Sequence, residues 1–255
     1  MTQSRLTLSF TPEAPQPYDV EFFRTFEGSN HVQMYKLITG REYGAPIRTD
    51  HTRLPISPKR FMQTRLGRIE TANAEKHRSF YAHTSTAVIP DPESDAVRFS
   101  PENQLIYRLN KNTELEGRNL PITSEQYYKS DGFTLTPEQA NALRNNPYDQ
   151  PILRRHFWEE SVAEGDVQLT KDYIDNVEKR TGYKFEKNAM GIFLPSTKGV
   201  RLLYVWGVDD YVRSGAIGDD DLGSDDGRLV GEVAEPQVVA KKIGVSLDNL
   251  LQGKI

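Results

Sequence analysis

The chain has 255 residues, a formal net charge of −4 and no cysteine. Without cysteine it has no disulfide, no thiolate metal ligand and no cysteine nucleophile. Its 12 tyrosines, 11 phenylalanines and 36% hydrophobic residues favour a packed core over disorder. The first residues lack the apolar stretch of a signal peptide, and no segment reaches the roughly 18 apolar residues of a membrane helix. We therefore expect a cytoplasmic protein with no membrane partner.

Residues 1–130 predict a β-rich region with one long basic helix. Alternation and aromatic content predict strands at 5–10, 32–39 and 78–89, and the last pairs with 96–99 in a hairpin. A short helix is predicted at 19–27 and the long helix at 59–76, with inward apolar residues at helical spacing.

Residues 131–255 predict a helical lobe followed by strands and two closing helices. Thr136, Pro137 and Gln139 form a capping-box signature for a helix to about residue 144, and further helices are predicted at 151–163 and 170–180. Strands follow at 190–194, 200–208 and 228–234, the first two as a hairpin and the second centrally in a sheet. Gly244 ends a helix that begins near residue 237, and Ser246 caps the last one.

These elements predict an α+β fold. It would comprise a mostly antiparallel sheet, a helical insertion at about 134–181 and a C-terminal helix corner. The regions 1–130 and 131–255 form either two domains or one continuous domain.

Charge is segregated along the chain. Residues 41–80 contain nine basic residues and four acidic ones, whereas residues 201–235 contain three basic and nine acidic ones. Either these regions lie together and neutralise one another, or each contacts a different partner.

The acidic region is rich in aspartate and interrupted by glycine. Like charge at this density needs water, a cation or a basic partner around it. We expect a partner-binding surface from Asp219, Asp220, Asp221, Asp225 and Asp226. The alternative is a calcium site with Asp219, Asp221 and Asp225 as ligands, although the spacing does not match an EF-hand loop. No other cofactor is predicted.

Basic residues with interleaved aromatic residues occupy positions 48–78. Arg60, Arg65 and Arg68 are the predicted contact residues, because Arg65 and Arg68 lie three apart on one face of the proposed helix. The partner would be a protein or, alternatively, a nucleic acid. The sequence pI of about 5.8 weighs against the nucleic acid.

Two histidines are candidate catalytic residues. His77 ends the proposed long helix, and His83 shares a strand face with tyrosine and serine, where an imidazole could act as a general base. Arg41, Thr84 to Thr86 and Glu232 or Glu235 follow in an order similar to that of ADP-ribosyltransferases. That similarity extends over single residue types and assigns the chain to no family.

The sequence therefore favours a non-enzymatic interaction or assembly subunit with segregated acidic and basic surfaces and a protein partner. The first alternative is an enzyme acting on a nucleotide or phosphorylated substrate through His83 and His77. The second is a nucleic-acid-binding protein that uses residues 48–78.

Overall fold

The computed structural model describes residues 20–24, 30–39, 52–69, 78, 81–110, 112–208, 214–218, 221–223 and 228–254. Within these residues the fold is α+β, as predicted, and its strands form one mixed sheet. The strands are β1 (Val20–Arg24), β2 (Arg53–Pro55), β3 (Ala82–Pro90), β4 (Val97–Ser100), β5 (Phe133–Leu135), β6 (Ile192–Phe193), β7 (Arg201–Val205), β8 (Ala216–Ile217) and β9 (Arg228–Val233).

The strands follow the order β1-β9-β3-β7-β8-β6, so residues from both ends of the chain meet in one sheet. Beside this row β2 pairs with β9, and β4 pairs with both β3 and β5. Only the β3–β9 and β6–β8 pairs of the described strands are parallel, and the others are antiparallel.

Helices cover both sides of this sheet. They are α1 (Asn30–Thr39), α2 (Pro58–Arg65), α3 (Gln104–Tyr107), α4 (Ser124–Lys129), α5 (Pro137–Asn145), α6 (Pro151–Phe157), α7 (Val167–Thr181), α8 (Pro236–Ile243) and α9 (Leu247–Leu251). A π-helical segment, Trp158–Val162, continues α6. No helix among the described residues is long and apolar enough to cross a bilayer.

Strand β3 lies at the centre of the core, and all nine of its residues are buried. Because side chains alternate across a strand, its apolar residues enter two separate clusters. Val88 packs with Phe61 and Trp158 on one side. Ala87 packs with the second cluster, which includes Tyr107 and residues of α1 and α8.

Three predictions in the first half were wrong. Residues 20–24 form strand β1 within the proposed short helix, and residues 30–39 form helix α1 instead of a strand. The buried residues Met34, Leu37 and Ile38 of α1 have the three-and-four spacing of a helix face. The long helix ends at Arg65, and Gly67 adopts a φ of +70°, a left-handed conformation that suits glycine after a helix. The strand predicted at 5–10 lies outside the described residues.

The predicted β6–β7 hairpin was also wrong. Strand β8 lies between the two and pairs antiparallel with β7 and parallel with β6. Strands β7 and β9, which flank the aspartate-rich region in the sequence, are separated by β3 in the sheet and do not pair with each other.

Local signals were confirmed where they were strongest. Strands β3 and β4 form the predicted hairpin, and β7 occupies the predicted central position. Thr136 and Gln139 form the capping box of α5. Gly182 and Gly244 end α7 and α8 in left-handed conformations, and Ser246 caps α9.

Candidate functional site

A cavity of about 330 Å³ opens where β2, α2, α3 and β9 meet. Charged and polar side chains dominate its wall: Ser57, Lys59, Arg60, Gln63, Glu102, Tyr107, Glu164 and Glu232, beside Leu54 and Pro55. We call this the charged cavity. Its volume lies at the lower end of the range for small-molecule sites.

Strand pairing and a helix cap position one wall of the charged cavity. Leu54 of β2 lies directly opposite Glu232 of β9 in the antiparallel register. Ser57 caps α2 by accepting a hydrogen bond from the backbone N–H of Arg60 at 3.3 Å. Arg60 therefore leaves the first turn of α2 towards β9, where its Nε donates to Glu232 Oε1 at 2.5 Å.

The opposite wall is held by an irregularity in β3. The register between β3 and β7 shifts between His83 and Ala87, as at a β-bulge. The Ser85 N–H donates to the carbonyl of Ile56 at 2.9 Å, and the Ser85 carbonyl accepts from the N–H of Glu102 at 3.1 Å. The bulge thus fixes both the start of α2 and the turn that carries Glu102.

Glu164 reaches the cavity from the helical side. It follows the π-helical segment, in which the N–H of Ala163 donates to the carbonyl of Trp158. Glu164 and Glu102 have φ values of +51° and +50°, a left-handed conformation uncommon for residues other than glycine. Both glutamates are exposed.

Negative charge is concentrated around Tyr107, which is only 2% exposed. Burial raises the pKa of its hydroxyl, and the charges of Glu102, Glu232 and Glu164 raise it further. Tyr107 is therefore neutral at physiological pH. Burial also raises the pKa of Glu232, against the attraction of Arg60 and with the repulsion of Glu164 and Glu102.

Four charges at the cavity are paired and two are not. Arg60 pairs with Glu232, and Lys242 pairs with Glu102 at the rim. Lys59 and Glu164 line the same cavity with opposite charges, and neither forms an ion pair within the described part of the chain. The wall thus offers one free cation and one free anion among the residues described.

Each of the three predicted basic contact residues forms an ion pair or hydrogen bonds within the chain. Arg60 pairs with Glu232, which links the basic and acidic regions and agrees with their mutual neutralisation. Arg65 is 1% exposed and donates to the Tyr173 hydroxyl at 2.6 Å and the Val205 carbonyl at 3.0 Å. Arg68 lies beyond the end of α2 and pairs with Asp172. Arg65 and Arg68 therefore do not share an exposed helix face, which removes the basis for binding nucleic acid through that face.

His83 lies in the protein interior at 1% exposure, beside the rings of Tyr81 and Tyr204. The charged cavity is lined by other residues, so His83 has no place in that site. His77 lies outside the described residues.

Of the five aspartates in the predicted acidic surface, Asp221 lies within the residues that the structure describes. Its Oδ1 accepts from Asn119 Nδ2 at 2.9 Å and lies 3.8 Å from Arg201 Nη2, while its Oδ2 lies 3.8 Å from Arg118 Nε. This carboxylate therefore ties its segment to neighbouring basic residues. The other predicted partner-binding residues of this surface, Asp219, Asp220, Asp225 and Asp226, lie outside the described residues. Calcium binding by this segment stays a prediction. Within the described ranges no three acidic or histidine side chains are grouped to hold a metal.

A second cavity, of about 530 Å³, lies at the start of α6. It is lined mainly by apolar groups, and Ile152 at its edge is 86% exposed. Leu153 packs partly into the core behind it, and His156 lies 5.3 Å from the ring of Phe133. Its described lining contains no lysine, arginine or carboxylate, and its polar groups come from Gln139, Gln150 and His156.

Sequence patterns missed most of the charged cavity. Among the residues that the sequence analysis names as candidates, only Arg60 and Glu232 line the charged cavity, and neither is predicted as part of a shared site. The clearest sequence signal was Ser57-Pro58, a helix start that places Lys59 and Arg60 in the first turn. No spacing rule links Glu102, Tyr107 and Glu164 to the lining residues of β2, α2 and β9, which belong to other segments of the chain.

Comparisons with known proteins identify a fold and no family. No protein-family profile and no curated protein sequence matches the chain. A solved structure described under the words "Accommodation of massive sequence variation in Nanoarchaeota by the C-type lectin fold" is similar, with a TM-score of 0.51 and 14% identity. The similarity covers 84% of this chain and 96% of that one. At this identity it shows the fold alone: the α+β architecture of this chain is similar to the C-type lectin fold.

Proposed function

We propose that the protein is a non-enzymatic interaction subunit that engages a protein partner at the charged cavity. The observation that carries the proposal is the opposed free charge of Lys59 and Glu164 at an open, largely prearranged cavity. Hydrogen bonds to β3 and a helix cap hold the surrounding backbone, so little ordering would be needed on binding. Complementary charges at such a surface confer specificity and accelerate association.

Two other surfaces belong to the same proposal. The aspartates around Asp219 and Asp225 would provide a further contact for a basic partner. The exposed Ile152 edge would add apolar contact area of the kind found at protein interfaces.

The test is the native mass of the protein isolated gently from its own cells. We expect a defined heteromeric complex with the unaltered chain and its loss with Glu164→Lys, which reverses one free charge of the cavity. Glu160→Lys makes the same change at an exposed position outside the cavity lining and should leave the complex intact. A lone monomer or homo-oligomer with the unaltered chain would overturn the proposal.

A further inference from the structure

We infer that the charged cavity binds a zwitterion, a group that carries an ammonium and a carboxylate a few bonds apart. The inference rests on the proposed function for its site and goes beyond it by naming the chemistry of the ligand. It starts from the free pair Lys59 and Glu164, which face one cavity without pairing with each other.

A ligand with one charge would satisfy one of these side chains and desolvate the other. An ion removed from water without a partner costs free energy, and a ligand of the wrong sign is rejected for that reason. A zwitterion supplies both counter-charges at once. Charge-assisted hydrogen bonds at its two ends would also fix its direction in the cavity.

The ammonium end belongs beside Glu164. Glu232 and Glu102 strengthen the negative potential there, as their common effect on Tyr107 shows. Tyr107 is buried and neutral, so it adds no charge of its own to this potential. Arg60 and Lys242 offset the charges of Glu232 and Glu102, with which they pair, and leave the charge of Glu164 for the ligand.

The carboxylate end belongs beside Lys59. This residue lies in the first turn of α2, where the helix dipole adds partial positive charge. Gln63 lines the same wall one turn further along the helix and contributes an uncharged amide. A cavity of about 330 Å³ accommodates a group the size of an amino acid.

Three probes with a five-carbon chain isolate the effect of end charge: δ-aminovalerate, cadaverine and glutarate. Titration calorimetry on the full chain should show saturable binding of δ-aminovalerate and at least about tenfold weaker binding of the other two, because one mismatched end costs about 1.4 kcal/mol or more. Glu164→Lys should transfer the preference to glutarate, and Lys59→Glu should transfer it to cadaverine. Lys171→Glu and Glu160→Lys reverse charge at exposed positions outside the lining, so they are the matched controls and should bind as the unaltered chain does.

Absence of saturable binding, equal binding of all three probes, or unchanged preference in both charge-reversal variants would overturn the inference. These results are distinct from failure of the proposed function. A partner complex that depends on Glu164, without binding of δ-aminovalerate, would support the proposed function and overturn the zwitterion inference. Binding of δ-aminovalerate by a chain that forms no complex would overturn the proposed function and support the zwitterion inference. Displacement of the partner by δ-aminovalerate would assign the zwitterion to the partner, and binding without displacement would assign it to a free small molecule.

Discussion

In the helical lobe formed by α5 to α7, buried Arg154 donates to the carbonyls of Asp149, Ala189 and Phe185 at 3.0, 3.0 and 2.6 Å. At the charged cavity, Glu232 meets one arginine and is repelled by two further glutamates. The lobe thus surrounds its charges with groups of the complementary sign. The cavity leaves part of its charge unmatched, and this is the difference expected between a structural site and a binding site.

Two glutamates show the same contrast. Partial burial acts to raise the pKa of Glu178, but hydrogen bonds from Lys184 Nζ and the Phe185 N–H, both at 2.8 Å, lower it below its usual value. The pKa of Glu232 is raised, since burial and neighbouring carboxylates outweigh Arg60. One carboxylate is stabilised by its surroundings, and the other would gain from a ligand's positive charge.

The largest expected effect comes from replacing the buried arginine of the helical lobe. Arg154→Met should lower the free energy of unfolding by about 3 kcal/mol or more, because several buried carbonyls lose their donor. Burial lowers the pKa of Arg154 to about 10, which leaves it charged at neutral pH. Chemical denaturation would measure the loss.

Arg155→Met is the matched control on the same helix. Arg155 is more exposed and pairs with Glu186 at 3.5 Å, so its replacement should cost less than about 1 kcal/mol. Equal losses in the two variants would contradict the structural role assigned to Arg154.

A smaller effect is expected where α2 meets α7. The Tyr173 hydroxyl accepts from Arg65 and lies 2.8 Å from the Ser214 hydroxyl. Tyr173→Phe keeps the ring stacked on Trp158 and removes these hydrogen bonds, which should cost about 1–3 kcal/mol. Tyr128→Phe, at a side chain that is 64% exposed, should leave the unfolding midpoint unchanged. No change with Tyr173→Phe would mean that Arg65 finds another acceptor.

Sequence patterns predicted the features that depend on neighbouring residues. Thr136 with Gln139 and the glycines Gly182 and Gly244 act within one or two helical turns, and the structure confirms them. The β6–β7 pairing failed because β8, from a later segment, inserts between the two strands. Local patterns carry no information about such an insertion.

Prediction of the candidate site from the sequence failed for a related reason. Arg65 carries the same sequence signal as an exposed basic residue, and only the packing of α2 against α7 and β7 shows that it is buried. The charged cavity unites segments from β2 to β9, so its charge balance depends on topology. A sequence pattern could identify Lys59 in a first helical turn but not the Glu164 that faces it.

The smallest effect concerns pH and tests the contrast between the two glutamates directly. A carboxyl whose pKa is raised in the folded state keeps its proton longer there, so Glu232 should reduce stability as pH rises through the range just above the ordinary glutamate pKa of about 4.3. Glu178 has the opposite sign: its contribution is present above the ordinary pKa and is lost as pH falls through the lowered one. The test measures the free energy of unfolding of Glu232→Gln and Glu178→Gln from about pH 3 to 7. Glu232→Gln should remove a decrease in stability with rising pH, and Glu178→Gln should remove an increase. The same sign for both differences would show that Arg60 stabilises the Glu232 carboxylate as fully as its donors stabilise that of Glu178, and would contradict the contrast between the two glutamates.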